Sequence, residues 1–205
     1  MVNRRLTLRQ FAAELPRWYR EYAQANPAYF PLEDRISKKA IEEGYLSKKD
    51  VIDVVMWGSK QLGSRLSARI DRHNKDSDIE AKTGAAVRVL NNPGGLALRR
   101  LLGGKYGGIY GLGLAFATKT LRCLYPQNYG ALDSKLRQAI DASLLPNIRN
   151  EIDLYLHFLE LLRELKQMAS PPGPSRRPNR EWFIADIEMA LFQFAWCPGH
   201  RLVRS

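Results

Sequence analysis

Residues Gly108–Leu121, GIYGLGLAFATKTL, place a Gly-x-Gly step (Gly111 and Gly113) directly before a segment with helical apolar spacing. A helix opened by glycine has entering amides with no intrahelical partner, at the positive end of its dipole. Without a side chain at the turn, a phosphate can approach that backbone closely, so the step is a candidate anion site. The surroundings add charge of the matching sign. No carboxylate occurs from Ala81 to Leu132, while Lys82, Arg88, Arg99, Arg100, Lys105, Lys119 and Arg122 fall inside that stretch. The first acid after it, Asp133, stands before Ser134 and a helical run, where it suits an N-cap or a catalytic carboxylate, and the two roles can coexist.

The elements that must position these groups read as helices. Leu6–Asn26 is amphipathic through Phe11, Leu15, Trp18, Tyr19 and Tyr22 despite Pro16, and Asn26–Leu32 reads as a Pro- and aromatic-rich connector. Ser47–Asp50 has the pattern of a capping box opening a helix to Trp57. Ser77–Glu80 has the pattern of a second, opening a helix that stops near Asn91-Asn92-Pro93. Leu96–Leu102 forms a short helix ended by Gly103-Gly104, and Gly113–Tyr125 the next, stopped by Pro126. Further helices are expected after Asp133, over Asn147–Met168 and over Trp182–Trp196, with a basic Pro-rich loop, SPPGPSRRPNR, at 170–180. No internal repeat and no strand run is found. The expected class is all-α: one helical domain of two lobes over 1–205, with helix–hairpin–helix punctuation at about 96–125.

Composition limits the partners. The chain has 205 residues and a formal net charge of +11, which implies a polyanion: nucleic acid first, an anionic membrane surface second. No run reaches the ~20 apolar residues of a bilayer span, and Met1–Arg5 is followed by polar residues where a secretory leader needs an apolar run. Cys123 and Cys197 are too few for a disulfide framework or a four-thiolate cluster, and His73, His157 and His200 have no metal-ligand spacing. The expectation is a cytoplasmic monomer, nucleoid-associated when bound to duplex DNA, with no metal, cofactor or membrane partner.

The run GGIYGLGLAFATKTLRCLYPQNYGALDSKLRQAI, Gly107–Ile140, resembles the helix–hairpin–helix and following loop of the DNA glycosylase superfamily that includes endonuclease III and the 8-oxoguanine glycosylases. The similarity covers roughly Leu96–Ile140, and EWFIADIEMALFQFA resembles the final helix of some uncharacterised bacterial relatives. The resemblance implies a phosphate grip by hairpin amides, with Tyr110, Gly111, Gly113, Lys105 and Arg122 on the DNA. It implies a catalytic carboxylate at Asp133, twenty positions beyond Gly113. Bifunctional members carry a nucleophilic lysine two residues after the second hairpin glycine, and that position here is Ala115. Lys119 lies one turn further on the same face, where it reaches the sugar as an amine or contacts phosphate.

Breaking an N-glycosidic bond builds positive charge on the sugar, which a carboxylate stabilises while it orients water. A lysine amine would add a covalent intermediate and strand scission. The target base must leave the stack for an aromatic or apolar pocket, for which Trp57, Phe116 and Trp182 are candidates, with Tyr110 and Trp196 as further aromatics. The expected activity is excision of a damaged or modified base. The alternative is a helix–hairpin–helix DNA-binding protein without chemistry.

Overall fold

Capping side chains decide where several of the helices begin. In the computed structural model, which describes residues 4–92 and 95–204, Thr7 accepts the Gln10 amide while the Gln10 side chain accepts the Thr7 amide, opening α1 (Leu8–Ala25). Ser47 and Asp50 exchange the same pair of bonds at the start of α3 (Lys48–Gly58), as the spacing predicts. Ser59 closes α3 and caps α4 (Lys60–His73) through the Leu62 amide, 3.0 Å. The second expected box is absent. Lys75 is the N-cap of α5 (Asp76–Val87) and its side chain makes no capping bond, so Asp76 and Asp78 serve that helix as first-turn charges. The expected stop at Asn91-Asn92-Pro93 is met earlier by α5, and Pro93 lies outside the described residues.

The remaining helices are α2 (Tyr29–Glu43), α6 (Leu96–Leu101), α7 (Leu114–Leu124), α8 (Ser134–Ala139), α9 (Glu151–Met168) and α10 (Ile184–Trp196). The class is all-α, as expected. Two elements correct the sequence reading. α2 starts inside the segment read as a connector, because Tyr29, Glu33, Ile36 and Ala40 form a buried stripe at helical spacing behind Pro27. Two three-residue strands, β1 (Arg5–Thr7) and β2 (Arg201–Val203), pair in parallel with Arg5 opposite Arg201; runs this short leave no period to read.

The chain divides into two compact units, residues 28–125 and residues 1–27 with 126–205. In the first, α2 and α3 pack on α7, α4 on α3, and α6 on α5 and α7. Asp50 is a buried polar node in it: Arg35 at 2.6 Å and Lys39 at 2.7 Å reach its carboxylate. Burial alone would raise that carboxyl, but hydrogen bonds from Lys39 and Ser47 outweigh it and hold Asp50 below the usual carboxylate range.

In the second unit α10 is the axis. It is buried without a break from Ile184 to Leu191, and α1, α8 and α9 pack around it. Phe194 meets Phe11 and Trp18 edge-on, both at 5.5 Å. The segment at 170–180, read as a basic Pro-rich loop, is anchored to this core through Gly173, Pro174 and Arg177, which are buried. Arg177 is 6% exposed and grips Asp186 with Nε at 3.0 Å from both carboxylate oxygens and a terminal nitrogen at 2.7 Å from Oδ1. Asp186 also accepts the Phe183 amide at 3.0 Å, and the guanidinium lies 4.5 Å over the Phe183 ring. Gly173 donates to Arg180 O, and Trp182 Nε1 to Ser170 O at 3.1 Å, closing the loop onto α10.

Leaving Asp186 ionised without its partner is the costly way to break this pair. Arg177→Met is expected to destabilise the protein by ~3–5 kcal/mol, read as a lowered urea midpoint. A midpoint within error of the wild type would place Arg177 outside the core.

Candidate nucleic-acid interface

The hairpin joining α6 to α7 is closed by its own backbone. Gly103 N donates to Leu112 O at 2.9 Å, Gly108 N to Leu102 O at 3.0 Å, Ile109 N to Leu101 O at 3.0 Å, and Leu112 N to Ile109 O at 3.0 Å. Lys82 Nζ adds a bond to Gly108 O at 2.8 Å, so this lysine of the acid-free stretch braces the turn. The glycines divide the work. A Cβ on Gly103 would meet Ile109 O, and one on Gly108 would meet Leu102 O, so both are there for close backbone approach. Gly111 sits at φ +88°, a region that side chains other than glycine rarely enter.

Gly113 has neither reason. Its φ is −80° and nothing lies within 4 Å of where a Cβ would point. It is the N-cap of α7 and supplies no capping side chain. Its carbonyl accepts Phe116 N and Ala117 N, and the amides of Leu114 and Ala115 donate to no acceptor among the described residues. The result is an unobstructed helix N-terminus of the kind that takes an anion.

A residue that the sequence did not single out holds the tip. Asn74, the C-cap of α4, receives Tyr110 N at 2.9 Å on Oδ1 and donates from Nδ2 to Tyr110 O at 3.1 Å and to Ile70 O at 2.8 Å. The Tyr110 ring is half exposed and lies 4.8 Å from His73. Arg69 flanks Gly111 through its Cγ and Cδ. Lys105 is exposed, 5.0 Å over the Tyr106 ring, and Arg99 and Arg100 are exposed at the end of α6. Tyr110, Gly111, Gly113 and Lys105 therefore share one hairpin. No sequence signal marks Asn74, since an Asn after a helix is ordinary and its long-range partner is set by folding.

Arg122 is corrected. The expectation placed it on DNA, but it is 2% exposed within the unit's core. Nε donates to Tyr29 Oη at 2.9 Å, and the guanidinium lies 4.1 Å over the Tyr29 ring and 5.2 Å from Trp57. Tyr29 Oη in turn donates to the buried Glu33 carboxylate at 2.5 Å. Burial pushes the Tyr29 phenol well above its ordinary range, although Arg122 pulls the other way, so the hydroxyl keeps its proton and can bridge acid to base.

Lys119 lies one turn before Arg122, half-buried. Its Nζ donates to Gly58 O at 3.0 Å and stands 5.3 Å from the Phe116 ring and 6.0 Å from Trp57. This puts an ammonium on the negative end of α3. Gly58 permits it: a Cβ there would approach Lys119 Cδ to 3.0 Å and Phe116 Cε1 to 3.1 Å. Trp57, Phe116 and Lys119 are thus brought together, and an attack by this amine requires it to leave Gly58.

Asp133 and Trp182 belong to the other unit. Asp133 is half-buried and its Oδ1 accepts Lys135 N at 3.0 Å and Leu136 N at 3.1 Å, making it the N-cap of α8. Trp182 is corrected from pocket wall to core: it is 6% exposed and meets Tyr19 edge-on at 5.8 Å. Trp196, in contrast, is 60% exposed with Lys135 Nζ 5.5 Å over its ring. Among the described residues no cluster of His, Cys, Asp and Glu is placed to hold a metal ion, and no helix is long and apolar enough to cross a membrane.

No family model, curated protein or solved structure matches the chain.

The open space at Gly113 makes it a clean probe, because the Cβ of Gly113→Val has nothing within 4 Å beyond its own chain neighbourhood and the backbone needs no unusual angle. Duplex DNA should bind with an affinity that falls steeply with salt, and Gly113→Val should weaken it while circular dichroism stays unchanged. Salt-independent binding, or full affinity in the folded variant, would remove the hairpin from the interface.

Proposed function

We propose that the protein is a DNA N-glycosylase-like enzyme that grips a backbone phosphate of duplex DNA at the α7 N-terminus and releases a damaged or modified base with help from Asp133. The observation that carries the reading is Gly113: a glycine with no folding reason to be one, below which the Leu114 and Ala115 amides face outward. Exposed Lys105, Arg99 and Arg100 add the cations that displace counterions from a duplex. The phosphate contact positions the DNA and carries no sequence information, so base choice rests with whatever receives the extruded nucleotide.

Asp133 contributes a negative charge of fixed direction. Two backbone amides on Oδ1 hold the carboxylate at one rotamer. In that state it stabilises the oxocarbenium-like sugar as the base departs and orients the attacking water. The path needs no amine, since water takes the anomeric carbon and the leaving base takes a proton. Lys119, hydrogen-bonded to Gly58 O, serves in this reading to hold α3 against α7 and leaves the abasic strand intact.

A second reading, a hairpin DNA-binding protein without chemistry, is favoured by Ala115 at the nucleophile position and by the capping bonds that already employ Asp133. Duplexes carrying different lesions, incubated with protein and then with alkali, separate the two by revealing abasic sites.

On a duplex that is cleaved, Asp133→Asn should lower base release by at least ~100-fold while DNA binding holds or tightens, because an amide still caps α8 and a charge that repels phosphate is gone. Release at the wild-type rate would leave Asp133 as a cap alone. Borohydride should trap no covalent adduct. An adduct that disappears in Lys119→Gln would instead establish lyase chemistry at this lysine.

A further inference from the structure

The unit formed by residues 1–27 and 126–205 has an open cavity of about 550 Å³ bounded by α8, the 140–147 turn, the start of α9 and β2. Its size is that of small-ligand sites. Its walls are of two kinds. Ile140, Leu145 and Leu154 form an apolar floor, while Arg137, Arg201 and Gln138 stand among the polar groups of the lining.

The frame is stiff where it matters. Ile140 bridges Leu202 alongside β2, and Asp141 N donates to Leu202 O at 2.9 Å. Asp141 O accepts Leu144 N at 2.9 Å and Leu145 N at 3.0 Å, and the Asp141 carboxylate accepts Ser143 N at 3.0 Å. These bonds fix the turn that carries the floor.

The guanidinium groups of the lining are not tied down by bonds to the protein. Arg137 and Arg201 are exposed, and neither guanidinium has a hydrogen bond or ion pair among the described residues. Strand register makes the excess worse by setting Arg5 directly opposite Arg201, since like charges facing across a ribbon destabilise it. Asp141 is the acid of the turn itself, and Glu151 and Asp153 stand in the first turn of α9. The Asp141 carboxyl is lowered first by the bonds from Ser143, with Arg5 and Arg201 adding smaller contributions.

We propose that this cavity is a nucleotide-binding site, separate from the hairpin, in which Arg137 and Arg201 take a phosphate and the floor of Ile140, Leu145 and Leu154 takes the base. The combination selects the ligand: a phosphate alone has no use for the floor, and an apolar molecule alone leaves the arginines unpaired. Guanidinium groups match phosphate oxygens in geometry as well as charge. A nucleotide ligand here requires neither the hairpin grip nor the chemistry at Asp133, so the inference stands apart from the glycosylase reading.

The same phosphate and base could come from a free mononucleotide or from a nucleotide within a strand. Calorimetric titration of the full chain with deoxyadenosine monophosphate, deoxyadenosine, inorganic phosphate and a short single-stranded oligonucleotide separates these. Saturable binding of the monophosphate, tighter than that of either of its parts, is expected. The double variant Arg137→Gln with Arg201→Gln should weaken it at least ~10-fold, as loss of charge-assisted bonds does. Ala142→Trp, at an exposed lining position, should weaken it equally by filling the cavity without touching the charge. Gly113→Val should leave monophosphate binding unchanged. An oligonucleotide that binds with the same sensitivity to these variants names a strand as the source; one that fails to compete names a free nucleotide. No saturable binding, equal binding of inorganic phosphate, or unchanged affinity in the folded variants would overturn the proposal.

Discussion

The buried guanidinium of Arg122 is the constraint on which the hairpin side of the molecule depends. A charge in a helical core is tolerable only where hydrogen bonds and polarizable faces replace water. Here Tyr29 supplies both, accepting Nε at 2.9 Å and offering its ring at 4.1 Å, and Glu33 completes the line through the Tyr29 hydroxyl. Because Arg122 is on α7 and Tyr29 and Glu33 are on α2, the pair fixes the inner face of the second hairpin helix. Trp57, 5.2 Å from the same guanidinium, is set by it in turn, and Lys119 settles beside Trp57 on the last carbonyl of α3. With the inner face so committed, the other end of α7 is left to present Gly113, Leu114 and Ala115.

The hairpin then needs little from its neighbours. Four backbone bonds and one lysine close it, and Asn74 clamps its tip by both the donor and the acceptor of Tyr110. Such a turn is stiff, and stiffness suits an anion grip, since amides already aimed lose little freedom when a phosphate arrives. The glycines that look alike in sequence have different causes here. Gly103 and Gly108 admit a carbonyl, Gly111 takes a left-handed angle, and Gly113 admits nothing from the protein itself.

Elsewhere the same rule, buried charge fully partnered, shapes the second unit. Asp186 sits in the first turn of α10, where the helix dipole favours an anion, and Arg177 and the Phe183 amide complete its shell. This ties the Pro-rich segment down and keeps Arg177 from solvent. Where a cation has no hydrogen bond or ion pair among the described residues, as at Lys105 on the hairpin and at Arg137 and Arg201 around the cavity, it is exposed. Charges in these two situations have the same residue types and opposite uses.

The sequence by itself determined the all-α class, the α3 capping box, the short α6, the glycine entry to α7 and the Asp133 cap. Each depends on residues a few positions apart, whose bonds form whenever the local backbone becomes helical. Pairing across long separations was not legible. Arg122 meets Tyr29 across 93 positions, Lys119 meets Gly58 across 61 and Tyr110 meets Asn74 across 36. The same holds for β1 and β2, three residues each from opposite ends of the chain. A cation in an acid-free stretch looks the same whether it will be buried against a phenol or left in water. Tertiary packing alone decided that, because the cost of burying a charge depends on which groups arrive to replace its water.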